Sequence, residues 1–294
     1  MDLWGPAQVR GARDKCNYVV AFIDDASRLV AAYRIKKKSD TLAAYIEFKK
    51  RHAKPLKLDV QRIQTDNGTE SMGDFLKYVE NDGTVVQRSA PYSQNQNSVV
   101  ERMFGTLFGM VRKMLADPQL PAKYWDYALA AAVWIKNRTA TRSLQNGITP
   151  FEVFWKKKPD LSYLRVFGSP CYVHVDASLR QKLDSRVIKC LFIGYSDNHK
   201  AWKCLDLKTG RELITITASF NERLNDKTPS LTLLQQPQPA DLQLELLEDK
   251  YLKVPVTNCD SEMFQTPENK KAPPKAEEPK KLRRKRRLQY QNKP

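Results

Sequence analysis

The sequence predicts an α/β core followed by a small all-β barrel and a basic tail, and three observations lead to this fold class. Strand-like and helix-like segments follow one another through the first half of the chain, an order typical of α/β folds. Four short β-prone runs separated by turns then indicate a barrel. From Asp226 onward Pro, Gln, Glu and Lys dominate, and this composition buries too little apolar surface to offset the entropy of ordering.

The core is predicted to open with a hairpin. The β-prone residues 17–23 and 28–35 flank the polar segment 24–27, which suits a turn. Ser39 is positioned to cap a helix that runs to about His52. The next predicted elements are a strand, a helix and a strand, over residues 60–64, 73–81 and 84–87.

Two longer helices complete the predicted core. Apolar residues recur at helical spacing over residues 98–116, and Asp117-Pro118 ends that helix. A second helix starts at Pro121, whose ring suits a first helical turn, and continues to about Arg138. The barrel strands are predicted over residues 165–175, 187–195, 201–207 and 211–217.

Charge and composition narrow the class of partner. The chain has 50 Lys and Arg residues against 33 Asp and Glu, so its net charge is +17, and nucleic acid is the leading candidate for a polyanionic partner. Residues 1–225 carry +13 of this charge, so the folded part is basic in its own right.

No apolar run approaches the roughly 18 residues that cross a bilayer, and no signal peptide opens the chain. The five scattered cysteines form no C-x-x-C pair, which disfavours a disulfide framework or a zinc site and fits a reducing intracellular location.

The tail contains a dense run of cations, with seven in eight successive residues. Such a run is typical of a nuclear-import signal or of a non-specific nucleic-acid clamp. A solvated basic tail without a receptor explains it equally well. The cations are Lys280, Lys281, Arg283, Arg284, Lys285, Arg286 and Arg287.

Three acidic residues lie where the predicted elements meet. Asp2 stands at the end of a first strand, Asp66 follows the strand over residues 60–64, and Glu101 is in the first turn of a helix. Carboxylates at such positions can converge on one edge of a sheet and hold Mg²⁺ or Mn²⁺. A pair of these metals about 4 Å apart supports in-line phosphoryl transfer. Plainer explanations stay open for each residue, namely a frayed terminus, an Asp-Asn-Gly turn and a capping box.

Other candidate residues lie on the same helix as Glu101. Arg102, Arg112 and Lys113 suit phosphate binding, although cations on an exposed helix face commonly only contact water. Gly105 and Gly109 are unusual inside a helix, because glycine costs stability there unless another backbone passes close by.

Together, a series of motifs is far more specific than any single carboxylate. In chain order they are DLWGP, YVVAFIDDASR, KKKSD, TDNGTE, APYSQNQNSVVERM, LPAKYWDYALAAAVWIKNR, TPFEVFWKKKPDLSYLRVFG, LFIGY and SFNE. They extend over nearly all of residues 1–222 and resemble the integrase region of a copia-type (Ty1/copia, Pseudoviridae-like) LTR retrotransposon Pol polyprotein.

The resemblance implies three segments. Residues 1–155 would form an RNase H-like core of the retroviral integrase type with a truncated first strand, residues 160–222 an SH3-like barrel, and residues 223–294 a disordered basic tail. The family's D,D,E metal triad falls on Asp2, Asp66 and Glu101, which implies two Mg²⁺ or Mn²⁺ ions in each active site.

The resemblance also implies DNA contacts and a function. Asn67 belongs to the catalytic loop, and Gln96 and Asn97 precede the catalytic helix. The implied activity is metal-dependent removal of nucleotides from DNA 3′ ends and transfer of the new ends into target DNA. The expected partners are double-stranded DNA, as element ends and as target, and further copies of the chain, with no membrane. The nucleus is the expected location, reached through cytoplasmic virus-like particles.

The chain departs from the family's pattern in places, and other functions stay open. The family's upstream His/His/Cys/Cys zinc domain has no counterpart here, and Asn97-Ser98 replaces the usual Asn-Gly. The alternatives are a catalytically inactive DNA-binding remnant of a transposable element, another RNase H-like nuclease, and a protein-interaction module. The basic charge disfavours the last of these.

Overall fold

The structure is a computed structural model that describes residues 1–65, 73–88, 98–183, 185–197 and 199–222. Its strands are β1 Asp2–Trp4, β2 Tyr18–Ile23, β3 Val30–Ile35, β4 Arg62–Thr65, β5 Val85–Arg88, β6 Pro170–His174, β7 Val187–Tyr195, β8 Trp202–Asp206, β9 Glu212–Thr215 and β10 Ala218–Phe220. Its α-helices are α1 Thr41–Phe48, α2 Gly73–Asn81, α3 Ser98–Ala116, α4 Trp125–Asn137 and α5 Pro150–Trp155. None of these helices is both long and apolar enough to cross a membrane.

Most of the predicted elements are confirmed, and α2 and α3 have the predicted bounds. The predicted cap of α1 is wrong, because Ser39 lies inside a 3₁₀ turn. The carboxylate of Asp40 instead accepts hydrogen bonds from the backbone N–H groups of Lys36 and Lys37, at 3.2 and 3.0 Å. Helix α5 and strand β10 were not predicted, since six and three residues are too few to show a period.

The strands of the core form two separate sheets. Strands β1, β2 and β3 are antiparallel neighbours, whereas β4 and β5 form a parallel pair. The amino group of Met1 donates a hydrogen bond to the carbonyl oxygen of Gln64, so the start of β1 adjoins β4. Asp2 is the first residue of β1, which corrects the prediction that it ends a strand. The strand continues through Trp4 and stops before Gly5, whose φ of +127° is incompatible with strand geometry.

The alternation of side chains in β2 separates two apolar layers. Val19 and Ala21 lie in a cluster with side chains of α3 and α4. Val20 and Phe22 lie in the other cluster, with side chains of α1 and α2. Because successive strand residues point to opposite faces, β2 is covered by helices on both sides.

The barrel consists of β6 to β10 in the order β10-β6-β7-β8-β9. Its pairing is irregular between Phe192 and Gly194, where a bulge bends β7. The barrel cysteines Cys171, Cys190 and Cys204 are buried and free, as is Cys16 of the core. None of these four described cysteines is part of a disulfide bond.

The core and the barrel share one apolar cluster. Leu107 of α3, Ala128 of α4 and Phe192 of β7 are all fully buried within it. A Cβ atom added to Gly168, which precedes β6, would lie 2.3 Å from a ring carbon of Pro118, which follows α3. The two segments therefore meet in close packing, with α4 against β7.

Candidate active site

The first predicted ligand, Asp2, lies on the α3 side of the sheet. Asp2 pairs with Ala21 of β2, and Ala21 belongs to the apolar cluster that contains the buried residues of α3. Trp4 shares the face of Asp2, because residues two apart on a strand point the same way. One carboxylate oxygen of Asp2 accepts a hydrogen bond from the Leu3 N–H at 2.7 Å.

The second predicted ligand, Asp66, lies outside the described residues, as does Asn67. Strand β4 ends at the residue before it, Thr65. The hydrogen bond from Met1 to Gln64 brings the start of β1 to this end of β4. The described residues thus place Asp2 beside the strand from which Asp66 follows.

The third predicted ligand, Glu101, is exposed in the first turn of α3. The capping box with Ser98, the plainer explanation left open for Glu101, is not formed among the described residues. The Ser98 hydroxyl accepts a hydrogen bond from Arg102 at 3.2 Å, and the Ser98 carbonyl accepts another from Arg102 at 2.9 Å. Within the described part of the chain the Glu101 carboxylate has no hydrogen-bond or ion-pair partner, so it is accessible to a ligand.

Aromatic contacts hold α3 against β1. The ring centroids of Trp4 and Phe108 are 4.0 Å apart, and those of Phe108 and Phe104 are 6.1 Å apart. Val100, the neighbour of Glu101, is buried in the same cluster as Ala21. Asp2 and Glu101 therefore belong to one layer of the molecule, on the side of the sheet that α3 covers.

Cations lie on the exposed surface of the same helix. Arg102 is held in the first turn by its bonds to Ser98, and Arg112 and Lys113 lie exposed nearly three turns later. An added Cβ on Gly105 or Gly109 would meet nothing within 4 Å, so no described backbone explains these glycines. The remaining predicted site residues lie outside the described residues: Gln96, Asn97 and the tail cations Lys280, Lys281, Arg283, Arg284, Lys285, Arg286 and Arg287.

The donor chemistry of the described carboxylates fits a hard cation. Asp2 and Glu101 supply oxygen ligands of the kind that Mg²⁺ and Mn²⁺ prefer. Among the described residues, no group of three His, Cys, Asp or Glu side chains lies close enough together to hold a metal ion. A complete site would therefore need a ligand from the segment that contains Asp66.

A buried carboxylate, which was not among the predicted site residues, holds the loop that follows β1. Asp126 of α4 is fully buried, and burial raises its pKa. Its Oδ2 accepts a hydrogen bond from the Arg13 N–H at 2.8 Å, and a Cβ on Gly11 would lie 2.5 Å from that oxygen. Asp126 thus fixes the loop after β1 against α4. An acidic residue within the apolar stretch of a helix was the signal in the sequence.

Comparisons with known proteins first match the barrel segment to a family model. The family model "Retroviral polymerase SH3-like domain" matches residues 169–232. The magnesium-bound catalytic core domain of HTLV-2 integrase, in its trimeric form, is 21% identical with a TM-score of 0.38, and the match covers 52% of this chain and 95% of that one. The predicted fold class, an α/β core followed by an SH3-like barrel, is confirmed by the family match and by the mixture of helices and strands.

The particular family follows from two plant relatives. The retrovirus-related Pol polyprotein of transposon TNT 1-94 from Nicotiana tabacum is 32% identical over 206 residues, or 70% of this chain. That of transposon RE1 from Arabidopsis thaliana is 30% identical over 221 residues, or 75% of this chain. The chain's homologues are thus Pol polyproteins of copia-type retrotransposons, as the motifs predicted. The chain spans about 15% of the length of these two polyproteins.

Proposed function

We propose that the chain acts in DNA integration as a polynucleotidyl transferase. The observation that carries this proposal is the placement of Asp2 and Glu101 in one layer, with β4, the strand that precedes Asp66 in the chain, adjoining the start of β1. In the proposed reaction, water first removes nucleotides from a DNA 3′ end. The new 3′-hydroxyl then attacks a phosphodiester bond of target DNA, with no covalent enzyme intermediate.

The three carboxylates are proposed to hold two Mg²⁺ or Mn²⁺ ions, which when bound activate the attacking oxygen and stabilise the leaving oxygen. Asp2 and Asp66 would share these ions, and Glu101 would hold the second. The exposure of Glu101 and its lack of a hydrogen-bond or ion-pair partner in the described part of the chain support this role, because no such bond to a described residue would have to be broken. Trp4 acts as a positioning residue, since its contact with Phe108 fixes β1 against α3.

DNA is the proposed substrate. The charge of +13 on residues 1–225 supports phosphate binding without sequence readout. Arg102, Arg112 and Lys113 on the exposed face of α3 are proposed to contact the backbone. Asn67, Gln96 and Asn97 are proposed to contact DNA near the carboxylates. Binding should therefore weaken steeply as salt is added.

The assembly and the location are also part of the proposal. A homo-multimer would bring two DNA ends to one target, and the tail cations over residues 280–287 would direct the protein to the nucleus. The density of those cations supports this location. Deleting the run from a fluorescently labelled chain should abolish nuclear accumulation, and unchanged accumulation would refute that role.

A strand-transfer assay tests the activity. Purified chain is incubated with a supercoiled plasmid, short blunt DNA duplexes and Mg²⁺ or Mn²⁺, and duplex binding is measured in the same samples. Joining should require the metal and should be lost in Glu101→Gln. Glu80→Gln is the matched control, because it removes the same charge from an exposed position of α2. Salt-sensitive binding without joining would favour an inactive DNA-binding remnant, and cleavage of RNA in hybrids would favour another nuclease.

A further inference from the structure

Four flat groups are stacked at the junction between the core and the barrel. Tyr195 of β7 lies on Trp134 of α4, with ring centroids 3.8 Å apart and planes 14° apart. The guanidinium carbon of Arg138 lies 3.9 Å from the centroid of Trp134 and 4.5 Å from that of Phe151 in α5. The stack thus joins α4, α5 and the barrel, and the Arg138 guanidinium lies against two of its rings.

The guanidinium of Arg138 has no anionic partner in the described part of the chain. It makes a single hydrogen bond there, from Nη1 to the carbonyl oxygen of Trp134 at 3.2 Å. Burial lowers the pKa of Arg138 to about 10, because desolvation disfavours the charged form. A partly buried cation is costly unless an anion or a full set of acceptors faces it.

Other packed arginines of this chain make more polar contacts than Arg138 does among the described residues. Arg34 forms an ion pair with Asp14 at 3.2 Å, and Arg13 forms one with Asp197 at 3.2 Å. Arg165 is the closest comparison, because it also lies over aromatic rings at this junction, 5.3 Å from that of Trp202. Its Nη1 donates to two carbonyl oxygens, those of residues 162 and 164, at 2.9 and 2.6 Å.

We propose that Arg138 binds a phosphate group of the nucleic-acid backbone at the junction of core and barrel. The inference rests on the proposed function, since it names a contact for the same DNA outside the face of α3. A guanidinium presents paired N–H donors in a planar fork that matches two phosphate oxygens. Trp134 and Phe151 hold that fork rigidly, so little side-chain entropy is lost when the phosphate binds.

Further cations close to the stack in the sequence favour an anionic ligand at Arg138. Three successive lysines, at residues 156–158, follow directly after α5, the helix that carries Phe151. Arg142 lies exposed four positions after Arg138. Arg138 is half-buried as a residue, so it does not lie wholly inside the core. A contact here would link the DNA to both segments at once, because Tyr195 belongs to the barrel and Arg138 to the core.

Binding of a short labelled DNA duplex to the full chain, measured by fluorescence anisotropy from about 50 to 200 mM salt, tests the proposal. We expect Arg138→Gln to weaken binding about tenfold and to reduce the slope of log affinity against log salt by about one unit. Arg165→Gln is the matched control, since it removes the same charge from a guanidinium that already donates two hydrogen bonds to carbonyl oxygens of the neighbouring chain segment. It should change affinity by less than about twofold.

Several other outcomes would overturn the proposal. If both variants weaken binding equally, only the general charge matters. If Arg138→Gln lowers the melting temperature but not the affinity, the role is packing alone. If the unmodified chain fails to bind the duplex, the proposed function falls as well. Arg138→Lys guards against misfolding of the first variant, because it keeps the charge and loses the planar fork. It should keep the salt slope and lose several-fold in affinity, and unchanged affinity would refute the phosphate contact.

Discussion

Replacing the two glycines of α3 with alanine should stabilise the protein. Gly105 and Gly109 lie inside the 19-residue helix, and an added Cβ on either would meet nothing within 4 Å. Glycine in a helix interior costs about 0.5–1 kcal/mol relative to alanine, because it loses more backbone freedom on folding. The double variant should therefore gain about 1–2 kcal/mol in the free energy of unfolding.

Urea unfolding followed by circular dichroism measures this gain, which should appear as a higher midpoint at an unchanged slope. The melting temperature should rise by about 2–8 °C. Gly11→Ala is the opposing control, because its Cβ would lie 2.5 Å from the buried Asp126 carboxylate and should destabilise the fold.

The affinity of the double variant for DNA should fall although its stability rises. If the DNA backbone passes along the exposed face of α3, two added methyl groups keep it away from the helix, so the stabilised variant should bind the duplex more weakly. A loss of stability in the double variant would refute the reasoning on the helix. Increased stability with full DNA affinity would refute close approach of DNA at these glycines.

Three further predictions concern the framework of the core. Burial lowers the pKa of His52 to about 4 in the folded protein, against about 6.5 in the unfolded chain. The neutral form of His52 is therefore linked to about 3 kcal/mol of the free energy of unfolding, which is present above pH 6.5 and is lost as the pH falls toward 4. The free energy of urea unfolding should be about 2 kcal/mol lower at pH 5 than at pH 7, and this difference should be absent in His52→Phe. Equal pH dependence in both proteins would contradict the prediction. Asn137→Leu should cost about 2–4 kcal/mol in urea unfolding, because the amide of Asn137 bonds both the N–H and the carbonyl of Val30 at 2.9 and 2.8 Å. Gly168→Ala should cost about 3 kcal/mol in the same assay, since its φ is +78° and its Cβ would lie 2.3 Å from a proline ring. Gly210→Ala, with a φ of +69° and open space, should cost only about 1 kcal/mol, and equal losses would show that the proline contact is relieved without cost.

Local pattern was enough to predict the longer elements of the fold. Helix α3 has the predicted bounds because apolar residues at helical spacing continue to a proline stop, and α2 is similarly self-contained. The start of α1 was mispredicted because residues 38–40 form a 3₁₀ turn, which the carboxylate of Asp40 holds by bonding the N–H groups of Lys36 and Lys37, and no local period marks such a turn. Short elements such as α5 and β10 carry too few residues to show a period.

The sequence by itself determined the class of elements, the basic charge and the family, because composition and motifs are local properties of the chain. Only the tertiary structure decided which side of the sheet carries Asp2, since that depends on its pairing with Ala21. The same holds for the hydrogen bonds between Asn137 and Val30, 107 residues apart. The Arg138 stack is a third case, because its rings come from three separate elements. Contacts between residues far apart in the chain depend on how the elements pack, and no local period encodes that packing.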